Sequence, residues 1–215
     1  MPIEKFLMVD TETANTIEDP FYYDLGFAVV DTTGKVYEVG SFVNADIFLD
    51  TEMMSTAYFC DKIPQYWQEI KAGKRILARH STIRKAVRDV MKKWGITYVV
   101  AHNARFDYRA TNYTQRLLTG SKYRYFFPYG TQIIDTLSMA RKVLKSSDSY
   151  RNFCKNNGFV CKNGAPRFTA EVIYRWLTGD VEFIESHTGL EDVLIEAKIF
   201  AFCRSVNPEI DGLLW

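Results

Sequence analysis

Segments of strand character come first in this chain, and only afterwards do strands alternate with helical stretches; that order constrains the fold more than any other feature. Phe6 to Val9 reads as a buried strand leading into Asp10. Tyr23 to Asp31 and Lys35 to Val43 are β-rich and joined by Thr32-Thr33-Gly34, which predicts a hairpin. Further on, Ile83, Val87, Val90, Met91 and Trp94 fall at helical spacing, with Ser81 as candidate N-cap. Ile96 to Ala101 then reads as a central strand, and Gln132 to Ile134 as a further short one. Helices are expected over Phe106 to Leu118, Thr136 to Leu144, Tyr150 to Asn156, Thr169 to Leu177 and about Leu190 to Arg204. In the last of these Val193, Leu194, Ala197, Phe200 and Ala201 are expected to face the core. Between Thr51 and Gly73, Asp61-Lys62-Ile63-Pro64 reads as a break and Gln65 to Lys71 as a short helix. The expected fold class is α/β: a mixed sheet with an N-terminal antiparallel hairpin, flanked by helices, as a single domain over residues 1–215.

A chain of 215 residues can bury one sizeable core, and 47% hydrophobic with 25% charged residues excludes disorder. The net charge of +1 carries no global basic signature, so contacts to a polyanion must come from local patches. Two stretches offer them. Lys71, Lys74, Arg75, Arg79, Arg84, Lys85 and Arg88 form either a solvated helix face or a phosphate-tracking surface. Tyr123 to Phe127 place aromatic rings around Arg124, as a stacking platform or as core. Cys60, Cys154, Cys161 and Cys203 contain no Cys-x-x-Cys pair and no zinc spacing. Without a signal segment or an apolar run of about 18 residues, no membrane contact and a cytoplasmic location are expected. The apolar end, Asp211 to Trp215, is expected to pack back on the domain.

Three separated segments carry the chemistry. Asp10-Thr11-Glu12 sets two carboxylates on one face of a strand, because side chains alternate. The same spacing at Asp50-Thr51-Glu52 and Asp180-Val181-Glu182 means that the pair alone decides little. Ala101 to Asp107 hands a strand over to a helix; Asn103 or Asp107 could cap it, although Asp107 falls late for a cap. Thr188-Gly189-Leu190-Glu191 has the form of a capping box, with Thr188 at N-cap and Glu191 at N3. His187 and Asp192 then occupy positions that meet at a helix start, where an apolar pair is usual. Asp10, Glu12, Asp107, Asp192 and one imidazole fit two-metal hydrolysis of a phosphodiester: hard oxygen ligands for divalent cations, and a base with its pKa near neutrality. His187 is expected on a mobile loop, while His80, in a basic stretch, is expected to be solvated. Asp135 reads as a strand-end cap.

Together these motifs resemble the DnaQ-like, DEDD-type 3′–5′ exonucleases of the ribonuclease H-like superfamily. The resemblance is carried by Asp10-Thr11-Glu12-Thr13, by His102 to Asp107, by His187 with Asp192, and by Ile134 to Leu137. It runs from about Lys5 to Arg204, and a histidine five positions before Asp192 is similar to the histidine branch (DEDDh). The resemblance implies two Mg²⁺ or Mn²⁺ ions, with Asp10, Glu12 and Asp192 as direct ligands and Asp107 acting through water. It implies His187 as general base, and Thr11, His102, Asn103 and Phe106 as contacts to the terminal nucleotide. The implied activity is hydrolysis at the 3′ end of single-stranded DNA or RNA, with DNA favoured, releasing nucleoside monophosphates; DNA replication and proofreading beside a DNA polymerase, RNA trimming and clearance of short oligonucleotides all stay open as its setting. The alternative is a catalytically silent relative that binds nucleic acid or a polymerase. Ala14-Asn15 and Gly189 depart from the family pattern, and Gly189 is expected to loosen the His187 loop.

Overall fold

The computed structural model describes residues 3–210 and 212–214. Strand β1 (Phe6–Asn15) pairs antiparallel with β2 (Pro20–Val30), and β2 with β3 (Val36–Asn44). Strand β4 (Ile76–Ala78) lies parallel to β3, while β5 (Tyr98–Ala101) and β6 (Gln132–Asp135) continue parallel beyond β1. The result is a mixed six-stranded sheet ordered β4-β3-β2-β1-β5-β6. The turn from β2 to β3 closes where expected: the Asp31 carboxylate accepts from the Thr33 amide and hydroxyl, and Gly34 takes φ 80°.

Helices cover both faces. They are α1 (Ala45–Phe48), α2 (Thr51–Ser55), α3 (Ile63–Lys71), α4 (His80–Trp94), α5 (Arg105–Thr119), α6 (Thr136–Leu144), α7 (Asp148–Asn156), α8 (Ala170–Thr178) and α9 (Gly189–Val206). Phe6, Met8, Ala28 and Val100 point to the face under α6 to α9, where the Phe200 ring packs tilted against Phe6 at 5.0 Å. Leu7, Val9, Leu25 and Val99 point the other way, onto Ile83, Val87 and Met91 of α4 and Ala110 of α5. Each fully buried side chain of this size contributes about 1.5–3 kcal/mol. A third cluster, with Tyr23, Phe48, Met54 and Tyr66, seats α1 to α3 beyond the end of the hairpin. The tail packs back, since Leu214 donates its amide to the Ile133 carbonyl; Asp211 and Trp215 lie outside the described residues.

Several expectations are corrected. Strand β1 does not stop at Asp10 but runs on to Asn15, with a bulge after Glu12. Pro64 sits in the first turn of α3 instead of breaking the chain, because that turn needs no amide donor there. Ser81 does not cap α4: Arg79 precedes it, and the Asp46 carboxylate receives the His80 amide from across the fold. His80 is buried, not solvated, with its ring between the Tyr22 hydroxyl and Gln115. Leu194 faces outward at 38% exposure, because Gly189 starts α9 against the sheet and so turns Val193, Ala197 and Phe200 inward.

Candidate active site

The first site-forming contact is between two glycines. Asp10 pairs across the sheet with Gly26, and Gly189 of α9 lies against Gly26: a Cβ on Gly189 would come within 2.5 Å of the Gly26 nitrogen. Only a missing side chain on each partner allows helix and sheet backbones so close. Gly189 is therefore packed rather than loose, and it delivers Asp192 above Asp10 and Glu12. The Asp24 carboxylate fixes this docking by accepting from the Gly189 amide at 2.9 Å and the Tyr66 hydroxyl at 2.7 Å. Arg75 completes it, bonding Asp24 at 3.1 Å, Glu191 at 2.8 Å and Glu69. Arg75 is only 3% exposed, so it leaves the basic run read from sequence and serves the scaffold.

The α9 start departs from the expected capping box. The Thr188 amide donates to Asp192 at 3.0 Å, while the Thr188 hydroxyl donates to Glu191, whose carboxylate is drawn to Arg75. Asp192 is thereby held on one oxygen by Thr188 and on the other by the Ser186 hydroxyl at 3.2 Å. Asp107 arrives from the opposite face of the sheet, where Thr11 donates to it through both its amide, 3.0 Å, and its hydroxyl, 2.8 Å.

Asp10, Glu12, His187 and Asp192 line a cleft of about 830 Å³, together with His102 and Asn103. Ligand-type atoms of Glu12, His187 and Asp192 lie within 4.8 Å of one another, and Asp10 Oδ2 is buried without a hydrogen-bond partner. Thr11, Phe106 and Asp107 are not part of the cleft wall. Thr11 is buried on Asp107, and Phe106 stands half-buried on the outer side of α5. His102 is pinned through one ring nitrogen to the Thr136 hydroxyl and through the other to the Phe168 carbonyl. Asn103 takes φ 64° at the rim, with its amide capped by Asp135, which also caps α6 as expected. Asp50 caps α2 and Asp180 bonds the Glu182 amide, so those two look-alike pairs are local turn devices.

Burial is the main cause of unusual acidity here. It pushes Glu12 up to about 9, with Asp192 adding repulsion, and Asp10 well above the carboxylate range. Asp107 and Asp192 each rise to about 7, opposed by their hydrogen bonds. Burial, reinforced by the Lys62 charge, lowers the His187 pKa, so the imidazole is neutral at neutral pH. His187 does not swing freely: it has φ 48°, its ring stacks on Phe59 at 4.5 Å and 14°, and Lys62 holds the Ser186 and His187 carbonyls.

Two further acids sit in the cleft that the sequence reading passed over. Glu196, 3% exposed, accepts the His102 amide at 3.1 Å, and burial raises its pKa strongly. Glu185 lies 3.9 Å from His187 Nδ1, and burial lifts it to about 8. Glu196 was detectable, as a carboxylate one helical turn beyond Asp192 in an otherwise apolar stretch. Arg141 and Arg167 also line the cleft. A donor set this rich in buried oxygen, with an orphaned Asp10 oxygen, fits hard divalent cations.

No family model matches the chain, and no curated protein matches it. Its fold is similar to that of solved exonuclease I structures. Against Escherichia coli exonuclease I in complex with a 5cy-dT13 oligonucleotide the TM-score is 0.58 at 14% identity, covering 96% of this chain and 41% of that one. Against the zinc-bound E. coli exonuclease I complex with single-stranded DNA it is 0.56 at 16% identity, covering 96% and 42%. The chain thus spans about two fifths of the exonuclease I chains that it matches, and the shared feature is the mixed sheet with its hairpin and flanking helices.

Proposed function

We propose that this chain, as a single domain, is a divalent-metal-dependent 3′–5′ exonuclease of the DEDD type, histidine branch, acting on single-stranded nucleic acid, DNA before RNA. One observation carries the reading: Glu12, His187 and Asp192 converge within 4.8 Å beside an unpartnered, buried Asp10 oxygen, although they come from opposite ends of the sequence. The likeness of the fold to exonuclease I agrees with it.

Asp10, Glu12 and Asp192 would hold two Mg²⁺ or Mn²⁺ ions, with Asp107 acting through water. Bound there, the ions supply Lewis acidity to the phosphoryl oxygens and ease deprotonation of water. His187, neutral and stacked on Phe59, accepts the proton of the attacking water. Glu185 lies 3.9 Å from the Nδ1 of that ring, and with burial lifting it to about 8 it is a neutral neighbour of the base at neutral pH. Asn103 contacts the terminal nucleotide, and Arg141 and Arg167 take its phosphates, while Phe106, outside the cleft wall, meets the strand just behind its end. Thr11 and His102 serve the same pocket less directly, Thr11 by aiming Asp107 and His102 by shaping the wall.

The test uses matched DNA and RNA strands, 5′-labelled, with free or blocked 3′ ends, in Mn²⁺ or Mg²⁺. The reading expects a ladder shortening from the free 3′ end and none from the blocked one. Internal cleavage, or equal digestion of blocked strands, overturns it.

A further inference from the structure

A second set of residues, on α5 outside the cleft wall, has a chemistry that hydrolysis does not use. Phe106, Arg109, Tyr113 and Arg116 recur along α5 at spacings of three, four and three residues and so share one face. Ring and cation alternate and touch. The Arg109 guanidinium lies 5.8 Å from the Phe106 ring centroid, and that of Arg116 lies 5.9 Å from Tyr113 and 5.5 Å from Tyr125. The ladder is about 15 Å long at 1.5 Å per helical residue. It begins beside the cleft, because the Phe106 amide donates to the carbonyl of Asn103 on the rim.

At its other end Tyr125 opens a separate hollow of about 620 Å³, whose wall includes Arg84, Arg88, Tyr123, Arg124 and Tyr129. Tyr123, Tyr125 and Tyr129 are exposed, an unusual condition for neighbouring rings. Arg84 is fixed in place, donating to the Tyr125 and Phe126 carbonyls at 2.8 and 3.1 Å. Burial, then repulsion from Arg88 and Arg124, lowers its pKa. Among the described residues no carboxylate pairs with Arg84, Arg88, Arg109, Arg116 or Arg124. Uncompensated guanidinium groups interleaved with open aromatic faces suit a ligand that is both polyanionic and planar. A single nucleic-acid strand is such a ligand: its bases stack on rings and its phosphates track cations, without sequence readout.

We infer that the α5 ladder and the tyrosine–arginine hollow form one track for the body of a single strand whose 3′ end lies in the cleft. This rests on the exonuclease reading only for which end enters the cleft. The net charge of +1 conceals the arrangement, because the acidic cleft cancels the basic track.

Fluorescence anisotropy tests it, using 5′-labelled strands with non-hydrolysable 3′-terminal linkages, of about four and about sixteen nucleotides. Arg116→Ala combined with Tyr125→Ala, and separately Arg88→Ala combined with Arg124→Ala, should each weaken long-strand binding about tenfold and leave short-strand binding as in the wild type. The log–log salt slope for the long strand should become shallower by about 0.7 for each arginine removed, a change that a merely structural role does not produce. In the second pair Arg124 is exposed and Arg88 half-buried at the wall of an open hollow, so misfolding of the first pair does not remove the test. Long-strand affinity and salt slope equal to wild type in the second pair overturn the track, whether or not the protein cleaves. Conversely, a shallower slope in a protein without hydrolysis sustains the track and removes the exonuclease reading.

Discussion

Gly189 rests directly on Gly26: a Cβ added to Gly26 would stand 2.1 Å from the Gly189 carbonyl carbon. That contact sets how far α9 lies from β1 and hence where Asp192 meets Asp10 and Glu12. Gly26→Ala should therefore cost about 1–3 kcal/mol by overpacking. It should also weaken Mn²⁺ binding, because Asp192 is pushed off the sheet. Thermal unfolding together with calorimetric Mn²⁺ titration checks both; a variant with wild-type metal affinity contradicts the positioning role.

Arg75 joins three carboxylates beneath that docking point. Removing one partner of a buried ion pair leaves an uncompensated charge, so Arg75→Ala should destabilise by about 3–5 kcal/mol in denaturant titration. Arg75 is buried, so the salt dependence of nucleic-acid binding in the surviving folded fraction should not change. A slope lowered by Arg75→Ala would return this residue to the nucleic-acid surface.

The candidate site was more legible in the sequence than the architecture around it. Asp10 with Glu12, and His187 with Asp192, are short-range patterns whose geometry follows from strand alternation and the first turn of a helix. The scaffold was not local. Asp24, Arg75 and Glu191 meet only because β2, the segment before β4 and α9 converge, and no spacing along the chain records that. His80 was misread for the same reason, since its partners Tyr22 and Gln115 are distant in sequence. Strand β4, only three residues long, gave too little alternation to register beside the basic residues flanking it. Phe59, which stacks on His187, sits in a stretch without periodicity.

The acidity of the cleft sets a pH dependence for the metal-free protein. Folded-state pKa values of about 7 for Asp107 and Asp192 and about 9 for Glu12 lie above the ordinary carboxylate range of roughly 4. Such groups hold protons more tightly when folded, so their stabilising contribution is complete below about pH 4 and is lost as pH rises through about 7 to 9. The Tm without metal should fall across that window. Added Mn²⁺ should restore it, by about 2.7 kcal/mol at a hundredfold excess over Kd. A Tm that is flat with pH and unaffected by Mn²⁺ would contradict a charged, ion-holding cleft.

His187 offers a division between binding and turnover. His187→Ala should lower kcat by about 10²–10⁴-fold with little change in strand affinity, because a base acts in the chemical step. Phe59→Ala should lower kcat less, since it frees the ring without removing it. Equal kcat in wild type and His187→Ala would move the base elsewhere, with Glu185, 3.9 Å from that ring, the first group to test.

The most direct measurement is mononucleotide release from a 3′-labelled single strand, comparing wild type with Asp10→Ala in Mn²⁺ and in EDTA. The account predicts release by the wild type in Mn²⁺ alone, and loss of that release in Asp10→Ala with the fold intact by circular dichroism. Release that persists in EDTA, or at the wild-type rate in Asp10→Ala, would contradict it.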